Sequence, residues 1–177
     1  MERFEIVKEG PYRFIGKAVF VRNDWSNPHV EPTHFHLQVW RGKDWIFNTL
    51  DALDEYATDM PYAASLYTME RYDNKNQLIG YILGKFMKPD CPVPSGMDYY
   101  DIPEGYIAKG WKECPAGEPY TWCEDAVKET LRNSNKYNDA SYIWGGDVFS
   151  DPDMLTVDGH KGISGYFICC TKAREKE

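Results

Sequence analysis

In Met69-Glu70-Arg71-Tyr72, Glu70 and Tyr72 stand two residues apart, a spacing that puts both side chains on one face of an extended segment. A carboxylate beside aromatic rings can take up an organic cation by charge and by cation-π attraction, worth about 0.5 to 2 kcal/mol per ring. Rings for the rest of such a wall stand on or next to predicted strands of the second half, at Tyr106, Trp111, Tyr142 and Trp144. Glu70, or another acid of the groove, is also the candidate for activating a water molecule, with no catalytic residue otherwise assigned. The plain alternative is a solvated Glu70 paired to Arg71. Trp45 and Trp122 fall on predicted helix faces and are expected in the core, while Tyr81 and Tyr100 suit either role.

Other chemistries find less support. His34-Phe35-His36 would place two imidazoles on one side of an extended segment, with Glu31 as a third ligand, but no Cys and no His-rich run is close, and no metal site is expected. The five cysteines (Cys91, Cys114, Cys123, Cys169, Cys170) are odd in number and contain no CxxC pair, which argues against a disulfide framework or a zinc site. Cys169 and Cys170 point to opposite faces of a strand, so one is expected to be buried. No GxGxxG or Walker-type glycine run is present, and no Gly-x-Ser-x-Gly, so neither a nucleotide cofactor nor a serine triad is expected. No cofactor of any kind is expected.

The balance of 20 basic against 28 acidic side chains, net −8, works against a nucleic-acid partner, whose affinity comes from Lys and Arg neutralising phosphates. A neutral or cationic small organic ligand suits that charge better. Aromatic residues make up 15% of the chain, an excess that fits either a heavy core or a ligand wall. The start MERFEIVKEG lacks a basic stretch followed by an apolar one, and no apolar run reaches the 18 residues of a membrane span. A cytoplasmic protein without membrane contact is expected. At 177 residues the chain is long enough to bury about 70% of its unfolded surface without staples.

The elements that must position these residues are read from periodicity. FEIVKEG (4–10) and PYRFIGKAVFV (11–21) are β-like, and 22–33 is a loop with two prolines. Apolar residues at three- and four-residue spacing from Leu37 to Tyr56 predict a helix broken near Gly42. Ala64 to Tyr72 and Leu78 to Met87 flank a short polar segment and read as a hairpin. Three prolines and a glycine in 88–97 mark a linker. The second half repeats the order: a strand at Tyr106 to Trp111, and a helix over 120–133 with Trp122, Ala126, Val127, Thr130 and Leu131 on one face. An extended run at Tyr142 to Trp144 then ends at Gly145-Gly146, and Met154 to Val157 reads as a weak strand before a firm one at Ile163 to Thr171. The expected fold is α+β: duplicated β-α-β-β repeats (about 11–87 and 98–171) in one domain over 1–177, with two helices on one face of a curved antiparallel sheet.

The stretch Asp98 to Trp111, DYYDIPEGYIAKGW, resembles the "Y-x-x-I-P-x-G-x-Y-A" segment of the DNA gyrase inhibitor-like (GyrI-like) small-molecule-binding proteins, which are similar to AraC-type effector-binding domains. Pro11-Tyr12-x-x-Ile15-Gly16, Leu37-x-x-Trp40 and Ile79-Gly80-Tyr81 extend the resemblance over nearly the whole chain. It implies the same paired repeats, a ligand groove on the sheet face away from the helices, and multidrug binding. It also implies a groove glutamate in a "P-x-x-E-x-Y" segment; the comparable stretch here puts Leu155 at the acid and Val157 at the tyrosine. That departure weakens the hydrolysis of cyclopropane-bearing compounds that some relatives carry out. The leading expectation is a stand-alone protein that binds small amphipathic or cationic organic molecules in an aromatic groove. The alternatives are a hydrolase of strained or electrophilic small molecules and, as the resemblance also implies, a protein-interaction module of the gyrase-inhibitor type.

Overall fold

Two amphipathic helices, α1 (Lys43–Asp51) and α2 (Glu124–Asn133), lie on the same face of one antiparallel sheet in the computed structural model of the chain, which describes residues 1–22, 42–73, 78–117, 123–155 and 160–173. The strands are β1 (Arg3–Glu9), β2 (Tyr12–Arg22), β3 (Ala63–Asp73), β4 (Leu78–Met87), β5 (Asp98–Ile102), β6 (Gly105–Cys114), β7 (Tyr137–Asp139), β8 (Trp144–Phe149) and β9 (Gly162–Lys172). Their order across the sheet is β1-β6-β9-β8-β3-β4-β2-β5, with the short β7 also on β9. This order is a pseudo-two-fold arrangement: β6-β9-β8 with α2 mirrors β2-β4-β3 with α1, and the halves meet where β3 pairs with β8. The fold is the expected α+β duplication. Each half also takes an edge strand from the other, since β1 pairs with β6 and β5 with β2.

Strict alternation sorts the side chains. On β9, Tyr166, Ile168 and Cys170 face α2, where Val127 and Leu131 meet them four residues apart, while Phe167 and Cys169 face the other way. Under α1, Ile46, Phe47 and Leu50 close over Ile15, Ala63, Leu83, Met87 and Phe149. Trp45, expected in the core, is 49% exposed, because the buried stripe of so short a helix is only about 100° wide and 46, 47 and 50 fill it.

The face away from the helices is packed with side chains. Phe14, Ile82, Phe86, Ile102, Ile107, Trp111, Trp144 and Phe167 form one buried cluster there, with Trp111 against Phe167 at 5.2 Å and Phe86 against Trp144 at 6.5 Å. The sheet is curled enough that β1 runs straight into β2 through Gly10-Pro11, and β5 into β6 through Pro103-Glu104, although each pair of strands sits at opposite ends of the order. Ile102-Pro103-Glu104-Gly105 is therefore a crossing between sheet ends and not a hairpin turn. Gly10, at φ 97°, lies against the backbone of Pro103 and Glu104, and the Lys8–Glu104 ion pair adds to the contact between the two crossings.

Three local expectations change. Gly145-Gly146 lies inside β8, which runs on to Phe149, and does not end a strand; residues 141–143 form the turn before it. Met154 and Leu155, where a weak strand running to Val157 was expected, belong to a 3-10 turn over Pro152–Leu155, since the proline and the Asp151 carboxylate, which accepts the Asp153 N–H at 2.8 Å, favour a turn; the rest of that expected strand lies outside the described residues. The segment 88–97 lies close against the body: Cys91 is fully buried and its carbonyl accepts Arg13 Nη1 at 3.0 Å.

One ion pair stands in the packed face. Lys109, 4% exposed, bonds Glu9, which also accepts the Tyr12 hydroxyl at 3.0 Å, and the ammonium lies 5.4 Å from the Phe167 ring centre. Burial, followed by the hydrogen bond to Glu9 and its charge, pushes the Tyr12 phenol up. Glu9→Gln leaves the ammonium without its counter-charge. Because Glu9 is partly open to water, the expected loss is about 2 kcal/mol, below the roughly 3–5 kcal/mol of a fully buried pair, read as a lower urea midpoint at unchanged slope.

Candidate functional site

Of the candidate wall residues whose side chains are described, Trp111 and Trp144 share one buried cluster, while Tyr106 and Tyr142 lie apart from it. Trp111 and Trp144 are 8% and 2% exposed within the packed face, and Arg3 already covers the Trp111 ring at 4.6 Å. Tyr106 is on the helix-bearing face, its ring tilted against that of Tyr137 at 5.2 Å and under the Lys172 ammonium. Tyr142 is 64% exposed in the turn before β8. Glu70 and Tyr72 are on β3, but their side chains lie outside the described residues, as do Leu155's side chain, Val157, Trp122, His34, His36 and Glu31.

A cavity of about 180 Å³ opens on the other face, beside the N-terminal turn of α2 and over the β3–β8 seam between the halves. Two rows of cross-strand neighbours make it. Ser65 pairs with Asp147, which pairs with Tyr166; Tyr67 pairs with Tyr81 on one side and Gly145 on the other. Period-two alternation sends these side chains toward the helices. A Cβ at Gly145 would stand 3.0 Å from the Tyr67 hydroxyl, so glycine there leaves the tyrosine its place. Ile79, Gly146 and Glu124 complete the lining, and the Tyr67 and Tyr81 rings meet edge to face at 6.2 Å.

The electrostatics of this cleft are set by acids. Asp147 is partly buried, but its Oδ1 is sealed from solvent and has no hydrogen-bond partner; the adjacent Ser65 Oγ is in the same condition. Burial, then the negative charge of Glu124, pushes the Asp147 carboxyl up to about 8, and Lys128 opposes this. Lys128 Nζ donates to Glu124 Oε1 at 2.5 Å, one helical turn away, and sits 5.8 Å from the Tyr166 ring centre. Burial works to lower the Lys128 ammonium, but the bond to Glu124 and its charge outweigh it and hold it above its ordinary range. Burial raises both the Tyr81 and Tyr166 phenols, so they remain neutral donors. The arrangement offers an apolar, ring-lined hollow with one acid that a ligand's charge can ionise.

Sequence reading passed over Asp147 because Gly145-Gly146 looked like the end of an extended run. The available signal was alternation: Trp144, Gly146 and Val148 share one face, which leaves the acid alone on the opposite face between Gly145 and Phe149. Leu155, at the place where the resemblance puts the groove acid, belongs to the turn Pro152–Leu155, outside the strands. Among the described residues no three His, Cys, Asp or Glu side chains gather to hold a metal, and no helix is long and apolar enough to cross a membrane. Burial raises the thiols of Cys91, Cys123, Cys169 and Cys170, the last to about 12, which opposes nucleophilic use.

No protein-family model matches the chain, and no curated sequence relative does. Solved structures do match. SAV2435 bound to tetraphenylphosphonium aligns with TM-score 0.61 at 8% identity, over 96% of this chain and 94% of that one. The EcmrR C-terminal domain aligns with TM-score 0.53 at 11% identity, covering 97% and 98%. A hydrolase encoded by lin2189 from Listeria innocua aligns with TM-score 0.53 at 13% identity, covering 96% and 92%. The shared element is the fold, end to end.

Proposed function

We propose that the chain, having the fold shared by a tetraphenylphosphonium-bound protein and the EcmrR C-terminal domain, binds small amphipathic cations in the cleft over the β3–β8 seam. The observation that carries this reading is the sealed, unpartnered Asp147 oxygen among Tyr67, Tyr81 and Tyr166. An ionised acid there is costly when the cleft is empty, and an organic cation offsets that cost while its apolar part covers the rings. Binding therefore displaces the Asp147 proton. Affinity rises with pH up to about 8 and levels off above it.

Isothermal titration with a panel of lipophilic cations tests the reading, with affinities expected on the order of micromolar, about 8 kcal/mol. Asp147→Asn should weaken binding at least tenfold at pH 8.5 and flatten its pH dependence, while Trp111→Ala, in the packed face, is the control for a site elsewhere. Absence of binding across the panel, or an unchanged Asp147→Asn, overturns the assignment. The hydrolase reading keeps one supporting observation: a carboxyl that holds its proton at neutral pH beside a second acid, Glu124, is a general acid placed in a cleft. Consumption of an electrophilic compound by the wild type, but not by Asp147→Asn, would favour it over simple binding.

A further inference from the structure

We infer that the cleft selects single-ring organic amines that carry N–H donors, in preference to onium cations that have none. The inference rests on the binding reading above and adds the ligand's class. Its basis is the pair Ser65 and Asp147, which face each other across the β3–β8 seam as direct cross-strand partners. Both present a side-chain oxygen sealed from solvent and without a partner, Ser65 from a residue only 3% exposed. Buried polar atoms are rarely left so, because each costs its full desolvation. Two such atoms on adjacent strands, in residues that line one cavity, are satisfied together once their side chains turn to a ligand that brings hydrogens.

Other ways of satisfying them fit less well. A quaternary or phosphonium centre offsets the charge of Asp147 but brings no hydrogen to either oxygen, so the part of the cost that comes from unmade hydrogen bonds stays. Among the described residues, the other charged side chains at the cleft engage each other: Lys128 is bonded to Glu124, which leaves Asp147 as the acid facing an incoming cation. A protonated primary amine has three donors and can reach the carboxylate and the serine hydroxyl at once.

Size points the same way. The hollow of about 180 Å³ is below the roughly 300–1,000 Å³ of ordinary ligand sites, and a cavity of about 150 Å³ is known to accept benzene. One aromatic ring with a short ammonium arm fills it. The ring would lie among Tyr67, Tyr81 and Ile79, and the arm would point to the seam.

The test compares 2-phenylethylammonium with its N,N,N-trimethyl counterpart by isothermal titration at pH 8.5, on wild type and Ser65→Ala. The primary amine is expected to bind wild type at least tenfold more tightly. Ser65→Ala should narrow that preference about threefold or more. Equal or tighter binding of the trimethyl compound overturns the donor inference and leaves cation binding standing. If neither compound nor any larger lipophilic cation binds, the functional reading falls and this inference with it. The wild-type comparison decides even if Ser65→Ala does not fold.

Discussion

Asp147→Asn should be clearly more stable than the wild type at pH 8.5 and no more stable at pH 4. The Asp147 carboxyl is raised from 3.8 to about 8, first by burial and then by the charge of Glu124. Between those values the folded chain holds a proton that the unfolded chain has released, so stability falls as pH rises through the window and is flat above it. The full window corresponds to at most about 6 kcal/mol, and partial access of water to the cleft reduces this, so we expect about 2–4 kcal/mol at pH 8.5. Asparagine keeps the shape and stays neutral throughout. Urea unfolding of both proteins at several pH values reads the difference directly; the depressed Asp151, which bonds the Asp153 N–H and His160, is common to both and cancels. Parallel stability curves across pH 4 to 8.5 would show that the acid is not held in its neutral form.

The second large effect is steric. Gly16 on β2 and Gly84 on β4 are register partners, and a Cβ on either would fall 1.9 Å and 1.8 Å, respectively, from a carbonyl oxygen of the neighbouring strand. Those obstacles are backbone atoms, which cannot swing aside as a side-chain end can. Gly16→Ala and Gly84→Ala must therefore push apart a strand pair in the middle of the α1 half, at an expected cost of at least about 4 kcal/mol each. Gly105→Ala is the matched control, since its nearest contact is 3.9 Å away and less than about 1 kcal/mol is expected. Thermal melts should show the first two variants unfolded or severely destabilised, and Gly105→Ala near the wild type. Wild-type-like melting of Gly84→Ala would mean that the strands can separate at little cost.

What the sequence disclosed divides along local and non-local lines. The β3–β4 pair, β9 and the buried stripe of α2 follow from residues within a dozen positions of one another, so alternation and 3.6-residue spacing were enough. The duplication was legible from element order, and with it the placing of both helices on one face. The cleft was not. Tyr67, Tyr81, Asp147 and Tyr166 come from four strands, and only the β3–β8 and β8–β9 registers bring them side by side. Burial of Trp111 and Trp144 depends likewise on the curling of the sheet, which no window of sequence contains.

The exchange of edge strands has a consequence for the order in which the chain is made. β1 is synthesised on the order of a hundred residues before β6, which pairs with it, and β3 waits almost as long for β8. A nascent chain that has completed only its first half thus carries three strands, β1, β2 and β3, with edges that are closed only by β6, β5 and β8 of the second half. Such edges template pairing with other chains. For this architecture the vulnerable interval is during translation, and it ends only when the last strands of the second half leave the ribosome and lock both halves at once.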